Sequence, residues 1–272
     1  MLGVTFPFAK GHGTRNDFIV LPDLDGAAHG DLDPELVRRL CDRRSGLGAD
    51  GVLRVLRGDV DGGAAWFMDY RNADGSVSEM CGNGIRVFAR YLAESGLVDP
   101  AEPLPVDTRD GIKRVIFCGD GEISVDMGRA RVGPVVQVGV ESRLLEARSV
   151  DVGNPHAVAF VTSLEEAGSL ERSPSYSAGD FRDGVNVEFA RREGARVLSL
   201  RVFERGVGET QSCGTGACAA VAAAWLDGDG GEPGAPYTVE VPGGTLTVTR
   251  NDAGHLALKG AAVLVAHGTW TA

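Results

Sequence analysis

The 272-residue chain is long enough to bury a sizeable core, as one large domain or two modest ones, without help from metals or disulfides. Its 39 glycines are about twice the usual share, yet they follow no three-residue period, and the apolar runs between them exclude collagen and disorder. The net charge of −11, from 38 acidic and 27 basic residues, argues against nucleic acid and anionic membranes as partners.

Val4–Phe8 alternates as a strand and gives way to a glycine-containing segment, Lys10 to Asp17, before a second apolar strand at Phe18–Leu21. Asp33–Pro34–Glu35 opens a helix with Leu36, Val37 and Leu40 on one face, because proline suits an early helical position. A loop over Ser45–Gly51 leads to strands at Val52–Leu56 and Ala64–Tyr70, then to a turn at Asn72–Ser76. Ile85, Phe88, Ala89 and Leu92 have helical spacing, closed by Gly96. Strands resume at Arg114–Phe117 and Ile123–Met127, and Gly128–Pro134 reads as a boundary. Beyond it come strands at Val150–Val152, Ala157–Val161, Val185–Phe189 and Val197–Phe203, then an alanine-rich helix at Gly216–Leu226. Tyr237–Val241, Gly244–Thr249 and His255–Val265 read as closing strands.

This order, strands–helix–strands twice over, predicts an α+β protein of two pseudo-symmetric domains, 1–128 and 129–272, with the last strand a candidate to return to the first. Cys81-Gly-Asn-Gly84 and Cys213-Gly-Thr-Gly216 echo each other at the two helix starts, 132 residues apart. No secretion signal opens the chain and no apolar run reaches bilayer length. With five cysteines, an odd number, the expectation is reduced thiols in a cytoplasm. The chain has only three lysines, Lys10, Lys113 and Lys259, a poor supply for a pyridoxal enzyme that needs a Schiff-base lysine.

A cysteine at a helix N-terminus meets the positive end of the macrodipole and unpaired N–H groups, which favour thiolate over thiol. The glycines that follow leave those N–H groups open to a carboxylate. Two such sites facing across a cleft would grip one carboxylate and place a sulfur on each side of its α-carbon. One thiolate would remove the proton while the opposite thiol returns one, and the helix ends would stabilise the developing charge. Simpler readings stand beside this one. Either cysteine could be a small buried residue; a disulfide between them would be an oxidised form; zinc ligation lacks its spacing. Cys41, Cys118 and Cys218 read as packing residues. Asn16, Asn72, Asn83, Asn154 and Asn186 lie in or beside the glycine loops, where turn chemistry competes with a polar lining for a ligand. Glu204–Arg205 adds a charge pair suited to a zwitterion. His156 reads equally as a satisfied structural histidine or as an auxiliary proton carrier.

Taken in order, Lys10-Gly-His-Gly-Thr-Arg-Asn-Asp-Phe18, Gly48-Ala-Asp-Gly51, Asn72-Ala-Asp-Gly-Ser76, Cys81-Gly-Asn-Gly-Ile-Arg86, Gly153-Asn-Pro-His156, Val185-Asn-Val187 and Glu204-Arg-Gly-Val-Gly-Glu-Thr210 leading to Cys213-Gly-Thr-Gly216 resemble the diaminopimelate epimerase family over nearly the whole chain. Its members are pyridoxal-independent amino-acid epimerases of lysine and peptidoglycan precursor synthesis. The resemblance implies two similar domains, each of mostly antiparallel strands wrapped around a central helix, and a cytoplasmic homodimer without cofactor or metal. It implies epimerisation of LL-2,6-diaminopimelate to the meso form, with Cys81 and Cys213 as the two acid/base residues. Gly82, Asn83, Gly214 and Thr215 would offer N–H groups to the reacting carboxylate. Asn16, Asn72, Asn154, Asn186, Glu204 and Arg205 would hold the zwitterionic substrate, with His156 and Glu204 supporting the thiols' proton traffic. Val87, Ala157 and Gly51 depart from residues often found in relatives, Gly51 standing where some carry a side-chain amide. The competing enzyme reading is a related racemase for another amino acid such as proline, which has no use for Arg205 at a distal carboxylate. A non-enzymatic zwitterion-binding module is the other alternative.

Overall fold

The computed structural model describes residues 5–229 and 232–271; Val4, first of the opening strand, lies outside them. The chain divides into two compact units, Met1–Val125 with Gly260–Ala272, and Asp126–Lys259. No helix among the described residues is long and apolar enough to cross a membrane.

In the first unit, Thr5–Gly13 and Asn16–Pro22 form an antiparallel hairpin. The whole of Lys10–Gly13 is therefore strand rather than loop, because the ladder to Val263–Thr271 continues as far as His12 and Gly13 pairs with Asn16. The turn itself is only Thr14 and Arg15, both left-handed at φ 49° and 62°, a pairing that suits the twist of a two-residue hairpin. A β-branched residue in that region is strained. Thr14 is buried and held there, its Oγ1 3.4 Å from both Asn83 Oδ1 and Arg86 Nη2. The order across this unit is Val263–Thr271, Thr5–Gly13, Asn16–Pro22, Gly51–Arg57, Trp66–Asn72, Leu104–Asp107 and Lys113–Phe117. Successive neighbours run antiparallel, antiparallel, parallel, antiparallel, parallel, antiparallel.

Among the described residues two helices belong to this unit. Helix α1 (Pro34–Cys41) is capped by the Asp33 carboxylate, which accepts from Glu35 N, and buries Val37, Leu40 and Cys41. Helix α2 (Gly82–Glu94) lies against several strands of the sheet and is buried without interruption from Gly82 to Ala89. Full burial of Ile85, Phe88 and Leu92 stabilises it by about 1.5–3 kcal/mol each. It ends in a Schellman turn: Gly96 at φ 67° donates to Ala93 O and Leu97 N donates to Leu92 O.

In the second unit the order is Arg131–Val140, Arg143–Asp151, Pro155–Phe160, Asn186–Gly194, Val197–Glu204, Tyr237–Val241 and Gly244–Arg250. Its neighbours follow the same sequence: antiparallel, antiparallel, parallel, antiparallel, parallel, antiparallel. Helix α3 (Gly214–Ala224) packs on this sheet with nearly every residue buried, as an alanine-rich, uniformly apolar segment must. Each unit thus has the predicted α+β plan of a mostly antiparallel sheet and a central helix.

Some boundaries differ from the sequence reading. The Gly128–Pro134 segment is largely strand, and the unit boundary falls after Val125. The proposed closing strand His255–Val265 is two strands, His255–Gly260 and Val263–Thr271, whose residues divide between the units at Gly260. Both helices at the cysteine motifs start earlier than apolar spacing indicated, because Gly82–Gly84 and Gly214–Gly216 carry no apolar side chain to mark a helical face.

Candidate active site

In the first unit Cys81 is the N-cap of α2, extended at φ −140° and ψ 120°, and its Sγ accepts from Gly84 N at 3.3 Å. The turn behind it is held by Arg86, fully buried, whose Nη1 donates to Gly82 O at 3.0 Å and Nη2 to Asn83 Oδ1 at 2.9 Å. Asn83 is itself buried; its Nδ2 donates to Asn16 Oδ1 at 3.2 Å. The same Asn16 oxygen accepts from Cys81 Sγ at 3.7 Å. Thus Asn16, Cys81 and Asn83 meet, with the Asn83 side chain bonded to both Asn16 and Arg86 in the first turn of the helix.

Behind Asn16 lies a cluster of charges. Asp50 accepts from Asn16 Nδ2 at 2.8 Å and from Asp17 N at 3.0 Å. Arg43 bridges Asp17 and Asp50 at 2.8 and 2.6 Å, while Lys10 pairs with Asp17 at 2.6 Å and also donates to Gly48 O. Burial raises the Asp17 carboxyl, but the hydrogen bonds and charges of Arg43 and Lys10 outweigh it and bring its pKa down to about 2. Burial dominates at Asp50 and, with the Asp17 charge, raises it from its ordinary value. Asn72 stands apart from this group, closing its own turn with Nδ2 donating to Ser76 Oγ at 3.0 Å. Opposite it in the ladder, Gly51 has no room for a side chain: a Cβ there would lie 2.6 Å from Arg71 O.

In the second unit Cys213 caps α3, with Sγ accepting from Gly216 N at 3.4 Å and 3.5 Å from Thr215 Oγ1. Asn154 Nδ2 donates to Thr215 Oγ1 at 3.4 Å, and Asn154 Oδ1 is 2.9 Å from His156 Nε2. His156 Nδ1 lies 2.6 Å from Glu188 Oε1, and both side chains are fully buried. Asn186 uses both ends of its amide within the chain, donating to Pro155 O at 3.2 Å and accepting Arg205 N at 2.9 Å. It thereby ties the strand that carries His156 to the hairpin that carries Glu204 and Arg205. Glu204 accepts from Thr210 Oγ1. Arg205 is exposed, donates to Asp183 O at 2.7 Å and lines a pocket of about 360 Å³ with Tyr176 and Phe203.

One expectation is corrected here. A helix N-terminus should ease ionisation of a cysteine, yet the Cys213 thiol is pushed well above its usual range. Burial is the main cause, and the carboxylates of Glu204 and Glu188 add to it. The dipole effect is worth about 0.3–1 kcal/mol at an exposed site, too little against full desolvation. Among the described residues no cysteine is in a disulfide. Cys41 and Cys218 are buried, and burial raises Cys41 to about 12. Cys118 is half-exposed rather than packed, because it follows the end of its strand.

Glu188 was not singled out in the sequence, although a signal exists: it is the one acidic residue in the run Asn-Val-Glu-Phe-Ala, where every residue is buried. Asp50 lay within a motif without a role of its own. No group of three or more His, Cys, Asp or Glu among the described residues is placed to hold a metal ion.

A sequence profile described as diaminopimelate epimerase matches residues 8–133 and 148–265, spans that include both cysteine caps and their polar neighbours. The chain belongs to the diaminopimelate epimerase family. Relatives named diaminopimelate epimerase from Streptomyces coelicolor and Thermobifida fusca are 53% and 49% identical to it, each over 96% of this chain and 94% and 96% of their own lengths. Among solved structures, a hydroxyproline epimerase from Agrobacterium vitis shares the fold at TM-score 0.74 and 18% identity, over 98% of this chain and 93% of that one. A methylitaconate-delta-isomerase does so at TM-score 0.63 and 16% identity, over 100% and 96%. At those identities the likeness is one of fold only. The fold therefore hosts several isomerase chemistries, and substrate choice must reside in side chains.

Proposed function

We propose that this chain is a cofactor-independent epimerase that converts LL-2,6-diaminopimelate to the meso isomer in lysine and peptidoglycan precursor synthesis. The observation that carries this reading is the repeated construction of a cysteine N-cap, its sulfur bonded to the N–H three residues on, at a glycine-opened helix start in each unit. Cys81 and Cys213 act as the two acid/base groups, one removing the α-proton as thiolate and the other returning a proton as thiol. The N–H groups of Gly82, Asn83, Gly214 and Thr215 bind the reacting carboxylate and stabilise charge as the proton leaves. Asn16, Asn72, Asn154 and Asn186 hold or frame the substrate's polar groups. Glu204 takes an ammonium group and Arg205, exposed beside its pocket, takes the distal carboxylate. The protein works in the cytoplasm as a homodimer.

The test is incubation of pure protein with LL-diaminopimelate in heavy water without pyridoxal phosphate. Meso product carrying solvent deuterium at the α-carbon is expected. Absence of both refutes the assignment. Cys81→Ala and Cys213→Ala should each abolish turnover, since each face of the α-carbon needs its own proton carrier; full activity in either defeats the two-base scheme. Size-exclusion chromatography with light scattering tests the dimer.

A further inference from the structure

The identical strand order of the two units makes their residues comparable position by position. Asn16 opens the strand Asn16–Pro22 and Asn154 immediately precedes the equivalent strand Pro155–Phe160; Phe18 and His156 lie two residues on. Across the parallel ladder Phe18 faces Gly51 and His156 faces Asn186, so Leu53 and Glu188, two residues further, also correspond. Both pairs are fully buried. Under α2, a Cβ on Gly84 would meet Leu53 Cδ2 at 3.1 Å; under α3, a Cβ on Gly216 would meet Glu188 Oε1 at 2.6 Å. The same niche beneath the cysteine-capped helix is thus filled by an apolar pair in one unit and by a histidine–glutamate pair in the other.

The fold does not require the polar pair, since Phe18 and Leu53 do the same packing. Burying an ion pair where apolar residues fit is neutral at best for stability. Glu188 Oε2 also has no hydrogen-bond partner among the described residues, which adds to the cost. The pair must therefore serve the group to which it connects. That group is Cys213, through His156, Asn154 and Thr215 at 2.6, 2.9, 3.4 and 3.5 Å in succession.

The polarity of this chain follows from its ends. His156 Nε2 faces the Asn154 carbonyl oxygen and Nδ1 faces a carboxylate, so both nitrogens face acceptors. A neutral imidazole beside a carboxylate would place its single hydrogen on Nδ1 and leave Nε2 bare. With both nitrogens protonated, His156 donates to Asn154 Oδ1, Asn154 Nδ2 donates to Thr215, and the Thr215 hydroxyl hydrogen is left for the sulfur. The carboxylate lies against the first turn of α3, where the helix end favours an anion.

We propose that Glu188 is a positioning residue for Cys213: it holds His156 as an imidazolium, and that ring fixes the direction of the hydrogen-bond chain through Asn154 and Thr215 to the sulfur. The role rests on Cys213 being one of the two acid/base groups. It makes the two thiols unequal, since Phe18 and Leu53 offer Cys81 no such chain.

The decisive measurement is ring-nitrogen NMR of the full-length protein labelled with 15N-histidine, near pH 7. Both nitrogens of His156 should be protonated in the wild type, and one should lose its hydrogen in Glu188→Gln. A bare nitrogen on His156 in the wild type overturns the proposal whatever the enzyme's substrate. In the epimerase assay, Glu188→Gln should lower kcat on the order of 10- to 100-fold with KM nearly unchanged; an unchanged kcat likewise overturns it. The double variant His156→Phe with Glu188→Leu copies the other unit's pair, so it should melt no lower than wild type yet lose activity; full activity in it is the third refuting result. If the wild type fails to turn over diaminopimelate but His156 is doubly protonated, the substrate assignment fails and the dyad stands.

Discussion

Asn16 donates its amide hydrogen to Asp50 Oδ2 at 2.8 Å and so turns its carbonyl oxygen toward the sulfur of Cys81, 3.7 Å away. Asp50 lies one residue outside that contact, but it decides which end of the amide the thiol meets.

Asp50→Ala should therefore lower epimerase kcat roughly 10-fold while leaving the sheet intact. It should also cost about 1–3 kcal/mol, because Asp17 N and Asn16 Nδ2 lose their acceptor. Steady-state kinetics and urea denaturation measure the two effects separately. Wild-type kcat in a stable Asp50→Ala protein would show that Asn16 needs no anchor.

The Asp17 ion cluster sets an acid limit. Asp17 is held at about 2 in the folded chain against an ordinary 3.8. A depressed carboxyl stabilises the fold above its unfolded pKa, and that contribution is lost as pH falls from about 4 through about 2. Asp50, raised by burial, works in the opposite sense and reduces the net loss. Carboxyl-carbon NMR should find the Asp17 midpoint near 2, and Arg43→Met should move it upward. An ordinary midpoint in the wild type would mean that Arg43 and Lys10 do not hold this carboxylate.

Gly216→Ala separates helix propensity from packing. Alanine is intrinsically the better helix former by about 1 kcal/mol. Here its Cβ would stand 2.6 Å from Glu188 Oε1 and 3.2 Å from Glu188 Cγ. Overpacking of this kind costs about 1–3 kcal/mol. The variant should melt below wild type, and His156 should lose its short bond to Glu188. Gly84→Ala, whose nearest contact is 3.1 Å from a leucine methyl, should be the milder change. A Gly216→Ala protein more stable than wild type would show that Glu188 moves freely.

Cys213 should be a neutral thiol in the substrate-free chain at pH 7, since burial and the carboxylates of Glu204 and Glu188 raise it. Iodoacetamide labelling followed by peptide mapping at pH 7 and pH 9 should find Cys213 little modified at the lower pH. Glu204→Gln should make it react faster by removing one of the charges. Rapid labelling at pH 7 would contradict this.

The elements that repeat a strong local pattern were legible in the sequence. The Asp33–Pro34 start of α1, the Gly96 stop of α2 and the apolar strands needed only nearest-neighbour chemistry, and the two cysteine–glycine motifs marked both helix caps. Strand limits were less legible. Lys10–Gly13 reads as loop because glycine is frequent there, yet it is strand because Val263–Thr271 pairs with it from more than 250 positions along the chain. The single run His255–Val265 hid a break that only ladder partners reveal.

The sequence by itself determined the family, the helix-and-strand repeat and the two cysteine-capped helix starts, because caps, turns and motif spacing act over a few residues. The tertiary structure decided what those residues do to one another. Desolvation, not the helix dipole, governs Cys213, since burial depends on what distant strands bring over a residue. The pairing of Glu188 with His156, where the other unit holds Leu53 and Phe18, likewise appears only once parallel strands set the register.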